Sequence, residues 1–325
     1  MFSRRLMVAA TLGLASATDL APAFAQGSFE GFLESIRAEA RRGGVAPATL
    51  QRALSGLRPN ERVLELDRRQ AEFTQTWPQY RDARLSQTRI DNGRRAFAEN
   101  RALLASIEDR FRVDPGVVIA IWGLETSYGG FTGTFNVVEA LATLAWEGRR
   151  AAFFRAELLA ALRILDAGNV PVERMRGSHA GAMGHPQFMP TSFERLAVDF
   201  DGDGRRDIWD SRADALGSIA NYLGRSGWRE PAPWGFEVAT PPELDLSGLD
   251  HRVMRPVREW SRSGVRRIDG RALPTLEGEW AVVAPGFSRG DTQSFLVGTN
   301  FMAIRRYNPS NFYATAVGLL SDRVG

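Results

Sequence analysis

The stretch that decides the fold is Ile121-Trp122-Gly123-Leu124-Glu125-Thr126-Ser127-Tyr128-Gly129-Gly130, which places one carboxylate at the end of an apolar run. Upstream, Asp114-Pro115 predicts a helix start, with Asp as the N-cap and Pro at the first helical position. The positions i, i+3, i+4 and i+7 then predict one helical face, made of Val118, Ile121, Trp122 and Glu125. Gly129-Gly130 is the predicted end of this helix.

Glu125 is the first candidate for chemistry. A carboxyl on the buried face of a helix, followed by the hydroxyls of Ser127 and Tyr128, is expected to have a raised pKa because burial disfavours its charged form. A structural role, in which Glu125 caps a loop or pairs with an arginine, explains the same residues equally well. The residues around Glu125 alone therefore leave both interpretations open.

Residues 1–25 have the features of a secretory signal peptide in the expected order. Arg4 and Arg5 form a positive start, residues 6–17 are apolar, and Ala23-Phe24-Ala25 is a small-x-small cleavage site. The apolar run is too short to span a membrane. The chain has no cysteine, which excludes disulfides, thiolate metal sites and a lipid-anchored cysteine. We expect a soluble protein that is exported to the periplasm.

The charge balance argues against a nucleic-acid partner. The chain has 41 basic and 38 acidic residues, a net charge of +3, and no long basic run with interleaved aromatic residues. We find no further candidate for a membrane span. The chain after residue 25 is long enough for one large domain, or for a domain with a smaller companion.

Most of the chain shows helical periodicity, which predicts helices at 29–41, 47–57, 62–73, 85–111, 138–146, 150–167 and 312–320. From residue 228 to 285 the pattern changes to short runs bounded by Gly and Pro, which predict strands at 253–260, 265–268 and 280–283. We therefore predict a mainly α (α+β) fold, with a helical domain formed by 26–228 and 286–325 and a small, partly β insertion at 229–285.

A second informative stretch runs from Arg176 to Pro190. Its small residues around two glycines allow a backbone to approach a ligand closely, and Ser178 and Gln187 can donate to sugar hydroxyls or to a carboxylate. The same residues can also form a tight corner without a ligand. His179 and His185 fit no zinc spacing, and we interpret them as surface or capping residues.

An Asp-rich stretch from Asp199 to Asp210 has the spacing of a calcium loop. Such a loop supplies oxygen ligands from positions 1, 3, 5, 7, 9 and 12 and turns sharply at a glycine in position 6. These positions are occupied in order by Asp199, Asp201, Asp203, Arg205 through its carbonyl, Asp207 and Asp210, with Gly204 at the turn. Asp210 is shorter than the usual Glu, so Asp214 is an alternative closing ligand. A solvated Asp-Gly turn is the interpretation without a metal.

Taken together, these segments resemble the B-type membrane-bound lytic murein transglycosylases, glycoside hydrolase family 103. The resemblance covers nearly the whole chain after the signal peptide. It is carried in order by residues 122–126, 177–184, 187–190, the Asp-rich loop and Arg306-Tyr307-Asn308. The resemblance implies a lysozyme-like helical body with a small β subdomain. It also implies cleavage of peptidoglycan glycan strands between N-acetylmuramic acid and N-acetylglucosamine.

The resemblance also implies roles for individual residues. Glu125 matches the single catalytic acid and base, and Ser178 and Asn308 match cleft positions beside it. The sugar-contacting positions match Gln187, Tyr222, Tyr307 and Tyr313, and also Tyr128, where some relatives have Trp. The stretch 199–214 matches an EF-hand-like loop that holds structural calcium, although it is one residue longer than in a relative, so Asp210 and Asp214 both remain candidates for closing it.

A single convincing acid sets the expected mechanism. Ordinary glycosidases use two carboxylates, whereas Glu139 and Glu147 lie on a segment that we interpret as packing and surface. One acid is enough if the C6 hydroxyl of the muramyl residue is the nucleophile, which yields a 1,6-anhydromuramyl end without water. A hydrolytic muramidase and a non-catalytic peptidoglycan-binding protein are the alternatives. We expect no cofactor for the chemistry, a monomer, and other cell-wall enzymes as candidate partners.

Overall fold

The computed structural model describes residues 27–68 and 75–325, so the predicted signal peptide lies outside the described residues. Within them the fold is mainly helical, as predicted. The helices are α1 Phe29–Arg42, α2 Pro47–Leu54, α3 Glu61–Arg68, α4 Trp77–Arg84, α5 Gln87–Glu99, α6 Arg101–Phe111, α7 Pro115–Thr126, α8 Val137–Glu147, α9 Ala151–Asp166, α10 Pro190–Leu196, α11 Arg212–Arg225, α12 Val257–Arg262, α13 Thr299–Tyr307 and α14 Asn311–Val324. The strands are β1 Phe135–Asn136, β2 Arg176–Gly177, β3 Gly235–Ala239, β4 Arg255–Pro256, β5 Arg266–Arg267, β6 Glu279–Val283 and β7 Ser294–Val297.

Two apolar cores lie inside the helical body. The first is formed by α1, α2, α3, α8, α9 and α10. The second is formed by α4 to α7, α11, α13 and α14 together with one face of the small sheet. Helix α7 lies in the second core and packs most extensively against α14. The core therefore fixes α7 and α14 against each other, although they are far apart in the sequence.

The bounds of α7 follow the sequence at one end and depart from it at the other. The side chain of Asp114 accepts hydrogen bonds from the amides of Gly116 and Val117, which confirms the predicted N-cap. The helix ends at Thr126, because Ser127 already has a left-handed backbone with φ of 51°. The predicted end at Gly129-Gly130 was therefore wrong. The single buried face was also incomplete, since residues 116–123 are all buried.

A five-stranded antiparallel sheet forms the smaller part of the fold, with strand order β4-β6-β7-β3-β5. Neighbouring side chains on a strand point to opposite faces, and both faces of this sheet are covered. In β6, Ala281 and Val283 contact the helical core, whereas Trp280 and Val282 pack in a separate cluster around Trp260 of α12. The central strand β7 lies at 294–297, after the proposed 229–285 insertion, so the sheet also uses the chain that follows it.

One predicted strand is largely a helix. The run 253–260 was predicted to be extended, but only Arg255–Pro256 pair with β6, and α12 begins at Val257. Proline cannot donate to a strand ladder, and its fixed φ suits the residue before a helix. Val257 and Trp260 then lie three residues apart and are both buried, which is helical spacing.

None of the helices among the described residues has the length and apolar composition needed to cross a membrane.

Candidate active site

Glu125 lies in the last turn of α7, where α7 meets the first turn of α14. The hydroxyl of Tyr313 donates a hydrogen bond to Oε1 of Glu125 at 2.6 Å. Tyr313 is almost fully buried, with 5% of its surface exposed. Burial first, and then the nearby charge of Glu125, raise the pKa of Tyr313 well above its usual value. Tyr313 is therefore a neutral donor at any physiological pH.

A pocket of about 110 Å³ opens in front of Glu125. Its described lining residues are Tyr80, Arg84, Leu124, Glu125, Asn308, Ser310, Phe312 and Tyr313, and Glu125 is the only carboxylate among them. Of these lining residues, Glu125, Asn308 and Tyr313 were predicted from the sequence as site residues, and the other five were not. Thr76 and Gln79 form a capping box that starts α4, the helix carrying Tyr80 and Arg84. That Thr-x-x-Gln pattern was a usable sequence signal.

The turn between α13 and α14 places Tyr313 over the acid. Oδ1 of Asn308 accepts from the amide of Ser310, and Oγ of Ser310 accepts from the amide of Tyr313 as the N-cap of α14. Tyr313 is therefore fixed in the first turn, at the positive end of the α14 dipole. This end favours the negative charge that Glu125 carries when it is ionised.

Tyr222 and Tyr307 form an aromatic pair next to this pocket. Their ring centroids are 4.6 Å apart, and Tyr307 also lies 5.8 Å from Phe188. The hydroxyl of Tyr222 donates to the carbonyl of Arg306, and that of Tyr307 to the carbonyl of Pro186, each at 2.5 Å. Burial and the charge of Glu125 raise the pKa of Tyr307 well above its usual value, which places this ring within the electrostatic reach of the acid.

Ser178 and Gln187 form hydrogen bonds with the backbone of this chain. Oγ of Ser178 accepts from the amides of Ala180 and Ala182 at 3.3 and 3.0 Å. Nε2 of the Gln187 side chain donates to the carbonyls of Thr132 and Gly184 at 3.1 and 2.9 Å. These contacts hold the stretch as a tight corner.

The glycines of this stretch are required by the protein itself. A Cβ on Gly177 would lie 2.1 Å from the carbonyl oxygen of Ala182, and one on Gly184 would lie 2.5 Å from that of Ile208. Gly181 has φ of 88° and packs on Leu141. The close backbone approach expected from these glycines is therefore an approach to the chain's own backbone and core.

His185 is a half-buried structural residue, which differs from the predicted surface or capping role. Its Nδ1 accepts from Nε1 of Trp122 at 2.9 Å, and its carbonyl accepts from Oγ1 of Thr126 at 3.3 Å. Burial first, then Arg212, lowers the pKa of His185. The imidazole is thus attached to the end of α7 that carries Glu125. His179 is half-buried against the ring of Phe135.

Tyr128 lies between α5 and α7. Its hydroxyl donates to the carbonyl of Arg89 at 2.9 Å, and its ring fills the space above Gly93 and Gly123. Burial raises the pKa of Tyr128 to about 12. Tyr128 is not among the described residues that line the Glu125 pocket.

The acidic residues of α8 have partners away from the pocket. Oε2 of Glu139 accepts from the side-chain amide of Asn60 at 2.9 Å, and Oε1 of Glu147 pairs with Arg149 at 2.9 Å. Their predicted assignment to packing and surface agrees with these contacts.

In the Asp-rich loop the structure brings three carboxylates together. Asp199, Asp201 and Asp203 each offer an oxygen, and these oxygens lie within 4.8 Å of one another. Two ligands of one calcium ion, each 2.3–2.6 Å away, are separated by at most about 5 Å. The three carboxylates therefore fit a calcium ion on distance and on chemistry.

The other predicted ligands have different contacts. Asp214 is fully buried and accepts from the amides of Phe200, Asp201 and Asp207, and burial raises its pKa. Asp207 caps the amides of Trp209 and Asp210.

Two further members of the predicted set form ion pairs. Asp210 pairs with Arg174, and the Arg205 side chain pairs with Asp203 at 2.9 Å. Of the two candidates for closing the loop, Asp214 is the one that holds the loop backbone.

In sequence, the chain is similar to known proteins. A family model described as a transglycosylase SLT domain matches residues 28–322. Over 300 residues the chain is 31% identical to membrane-bound lytic murein transglycosylase B of Escherichia coli K12, covering 85% of this chain and 77% of that protein.

Two solved structures are also similar. SltB3 from Pseudomonas aeruginosa, in complex with NAG-anhNAM-pentapeptide, is 45% identical with a TM-score of 0.87, over 91% of this chain and 79% of that chain. The Escherichia coli lytic transglycosylase SLT35, in complex with calcium, is 28% identical with a TM-score of 0.77, over 91% and 92%. The predicted family, lysozyme-like fold and enzyme class are confirmed. The chain therefore belongs to the transglycosylase SLT domain family, as a lytic murein transglycosylase.

Proposed function

We propose that Glu125 is the single catalytic acid and base with which this enzyme cuts the bond between N-acetylmuramic acid and N-acetylglucosamine. The observation that carries the proposal is that Glu125 is the only carboxylate among the described lining residues and receives the Tyr313 hydroxyl. Two-carboxylate mechanisms require a second acid within about 5–9.5 Å of the first. The single acid favours a mechanism in which the substrate supplies the nucleophile.

The reaction then has two proton transfers through one residue. Neutral Glu125 protonates the glycosidic oxygen as the bond to C1 breaks. The resulting carboxylate takes the proton from the C6 hydroxyl of the muramyl residue, whose oxygen attacks C1. The products are a 1,6-anhydromuramyl end and a free N-acetylglucosamine hydroxyl, and Glu125 is neutral again. General acid and base catalysis contributes ~10²–10⁴-fold, and the intramolecular position of the nucleophile contributes further.

Tyr313 also orients the carboxyl group of Glu125, because its hydroxyl donates a hydrogen bond to Oε1. A hydrogen bond donated to the charged form favours that form, so Tyr313 stabilises the carboxylate between the two transfers. The raised pKa of Tyr313 keeps this phenol in its donor form.

We further propose that the substrate lies along the surface between this pocket and the Tyr222–Tyr307 pair. Asn308 lines the pocket itself, and the two aromatic rings provide flat apolar surfaces of the kind on which sugar rings pack. For Ser178, Gln187 and Tyr128, the contacts within the chain support a role in shaping this surface.

The chemical test is to identify the products that the enzyme releases from purified sacculi. Glu125→Gln keeps the side-chain shape but cannot donate and reaccept a proton, so we expect a folded protein without detectable release of anhydromuropeptides by mass spectrometry. Glu139→Gln is the matched control, because Asn60 can still donate to its amide oxygen, and it should retain wild-type turnover. Anhydro products from folded Glu125→Gln would refute the assignment, and reducing ends from the wild type would indicate hydrolysis.

We also propose that Asp199, Asp201 and Asp203 hold a structural calcium ion, with Asp214 supporting the loop backbone. The support is their oxygen spacing and the complex of SLT35 with calcium. A bound cation offsets the repulsion among the carboxylates. Calcium would supply this cohesion and no chemistry, since the loop residues are absent from the described lining of the Glu125 pocket.

The family relationship also supports a place of action outside the cytoplasm. SltB3 was solved with fragments of peptidoglycan, and the cell wall that contains this polymer lies outside the inner membrane. We infer that residues 1–25 direct export and that the enzyme acts in the periplasm. N-terminal sequencing of the secreted protein tests this, with a first residue near Gln26 expected.

A further inference from the structure

We propose that Arg89 and Tyr128 are positioning residues that hold the last turn of α7, and with it Glu125, in the geometry of the reaction. The family resemblance implied a sugar contact for Tyr128 and no role for Arg89; the role proposed here acts on Glu125 through the backbone of α7. The inference rests on the proposed role of Glu125. It concerns how a carboxyl on a helix end is kept in one orientation through two proton transfers.

Tyr128 acts as a wedge between α5 and α7. A Cβ on Gly93 of α5 would lie 2.5 Å from the Tyr128 hydroxyl oxygen, and one on Gly123 of α7 would lie 2.5 Å from its ring carbons. Both helices therefore have a glycine where the ring packs, so the ring touches their backbones directly. The ring thereby fixes the spacing between α5 and the turn of α7 that precedes Glu125.

Arg89 ties the same turn to α5 by hydrogen bonds. Its Nη1 donates to the carbonyl of Gly123 at 2.7 Å, and its own carbonyl accepts the Tyr128 hydroxyl. Gly123 lies two residues before Glu125, and its carbonyl also accepts the amide of Ser127. A cation at the carbonyl end of a helix interacts favourably with the helix dipole. Arg89, Tyr128 and Gly123 therefore form a closed set of contacts, which we call the α5 clamp.

The α5 clamp contains features that are energetically unfavourable in themselves. Ser127 and Tyr128 are consecutive residues with φ of 51° and 61°, a left-handed backbone region that is unfavourable for non-glycine residues. Nε of Arg89 is buried and has no hydrogen-bond partner among the described residues. Burial, and then the charge of Arg84, lowers the pKa of Arg89. Such costs gather where the surrounding structure must hold a functional group in place.

The clamp is also close to the reaction without lining it. Arg84 and Tyr80 both affect the pKa of Arg89, and both line the Glu125 pocket. Arg89 and Tyr128 are not among the described lining residues. A displacement of about 1 Å in a reacting group lowers turnover by roughly a hundredfold. Loosening the clamp should therefore lower kcat and leave substrate affinity almost unchanged.

The experiment uses the full-length enzyme and a soluble peptidoglycan tetrasaccharide, with kcat and KM measured separately. Tyr128→Phe removes the hydroxyl contact and keeps the ring, and we expect kcat to fall about tenfold with KM within about twofold. Arg89→Gln should lower kcat further, towards a hundredfold, and Arg89→Lys should recover part of that loss because it keeps the charge. Arg94→Gln is the matched control, since Arg94 also lies on α5 and donates to a backbone carbonyl, but that carbonyl belongs to Arg323 of α14. It should retain wild-type kcat.

Two results would overturn the inference. A raised KM with unchanged kcat would make Tyr128 or Arg89 a substrate contact. If the clamp variants have a lowered Tm but a wild-type kcat at temperatures below that Tm, the clamp is purely structural. Tyr128→Phe and Arg89→Lys keep the ring and the charge, so they test the inference even if Arg89→Gln does not fold. If Glu125→Gln is inactive while both clamp variants have wild-type kcat, the inference fails and the proposed function stands. An active Glu125→Gln removes the proposed function itself.

Discussion

The hydrogen bond from Tyr313 to Glu125 makes the sharpest prediction, through the variant Tyr313→Phe. The bond is 2.6 Å long and joins a phenol to a carboxyl in a mostly buried setting. Hydrogen bonds to charged groups are worth about 1.5–3 kcal/mol. If that energy is lost when the carboxylate forms, kcat falls by roughly 10- to 150-fold, since each 1.36 kcal/mol corresponds to a factor of ten. The ring remains, so KM should change little.

Release of anhydromuropeptides from sacculi, measured by mass spectrometry over time, gives the rate. Thr315→Val on the same helix is the matched control, because the Thr315 hydroxyl is buried and has no hydrogen-bond partner among the described residues. Removing an unpartnered buried hydroxyl is neutral or stabilising, so this variant should keep wild-type turnover. If Tyr313→Phe folds and releases anhydro products at the wild-type rate, Tyr313 does not stabilise the carboxylate and its proposed role is wrong.

Two further predictions concern stability. Calcium in about hundredfold excess over its Kd should add ~2.7 kcal/mol to the free energy of unfolding, and Asp203→Ala should abolish that gain in calorimetry; equal melting temperatures in chelator and in calcium would contradict the site. His185 is neutral in the fold because its pKa is lowered, so the unfolded chain binds more protons as the pH falls through the unfolded value of about 6.5, and stability is lost below it. In His185→Gln, whose amide oxygen can still accept from Trp122, the loss of stability between about pH 7.5 and about pH 5.5 should be smaller; an unchanged loss would mean that other groups carry it.

The sequence predicted the elements whose signals are local. Asp114-Pro115 starts α7 because a carboxylate cap and a proline both act within a few residues. The end of α7 could not be predicted, because Ser127 adopts the left-handed conformation that a glycine usually provides after a helix. The predicted strand at 253–260 failed for a similar reason, since β-branched and aromatic residues at this spacing suit either a strand or a short buried helix.

The site residues also divide into those with a signal in the sequence and those placed by distant parts of the chain. Glu125, Asn308 and Tyr313 were predicted through the family resemblance, and the structure brings all three to one pocket. Tyr80 and Arg84 were missed because the capping signal before α4 predicts a helix but not that this helix lines the Glu125 pocket. The glycines around Ser178 also carried no information about their partners. Whether a glycine faces a ligand or the carbonyl of Ala182 depends on distant parts of the chain.

The contact between Glu125 and Tyr313 has a consequence for the timing of activity. The two residues are 188 positions apart in the sequence, and the chain between them contains the whole five-stranded sheet. Contacts of such separation form late, because the entropy of closing the intervening loop must be overcome first. A chain that is still being synthesised or is partly folded therefore contains Glu125 without its contact to Tyr313. For an enzyme that cuts the polymer on which a cell's integrity depends, the topology makes completion of folding the condition for activity.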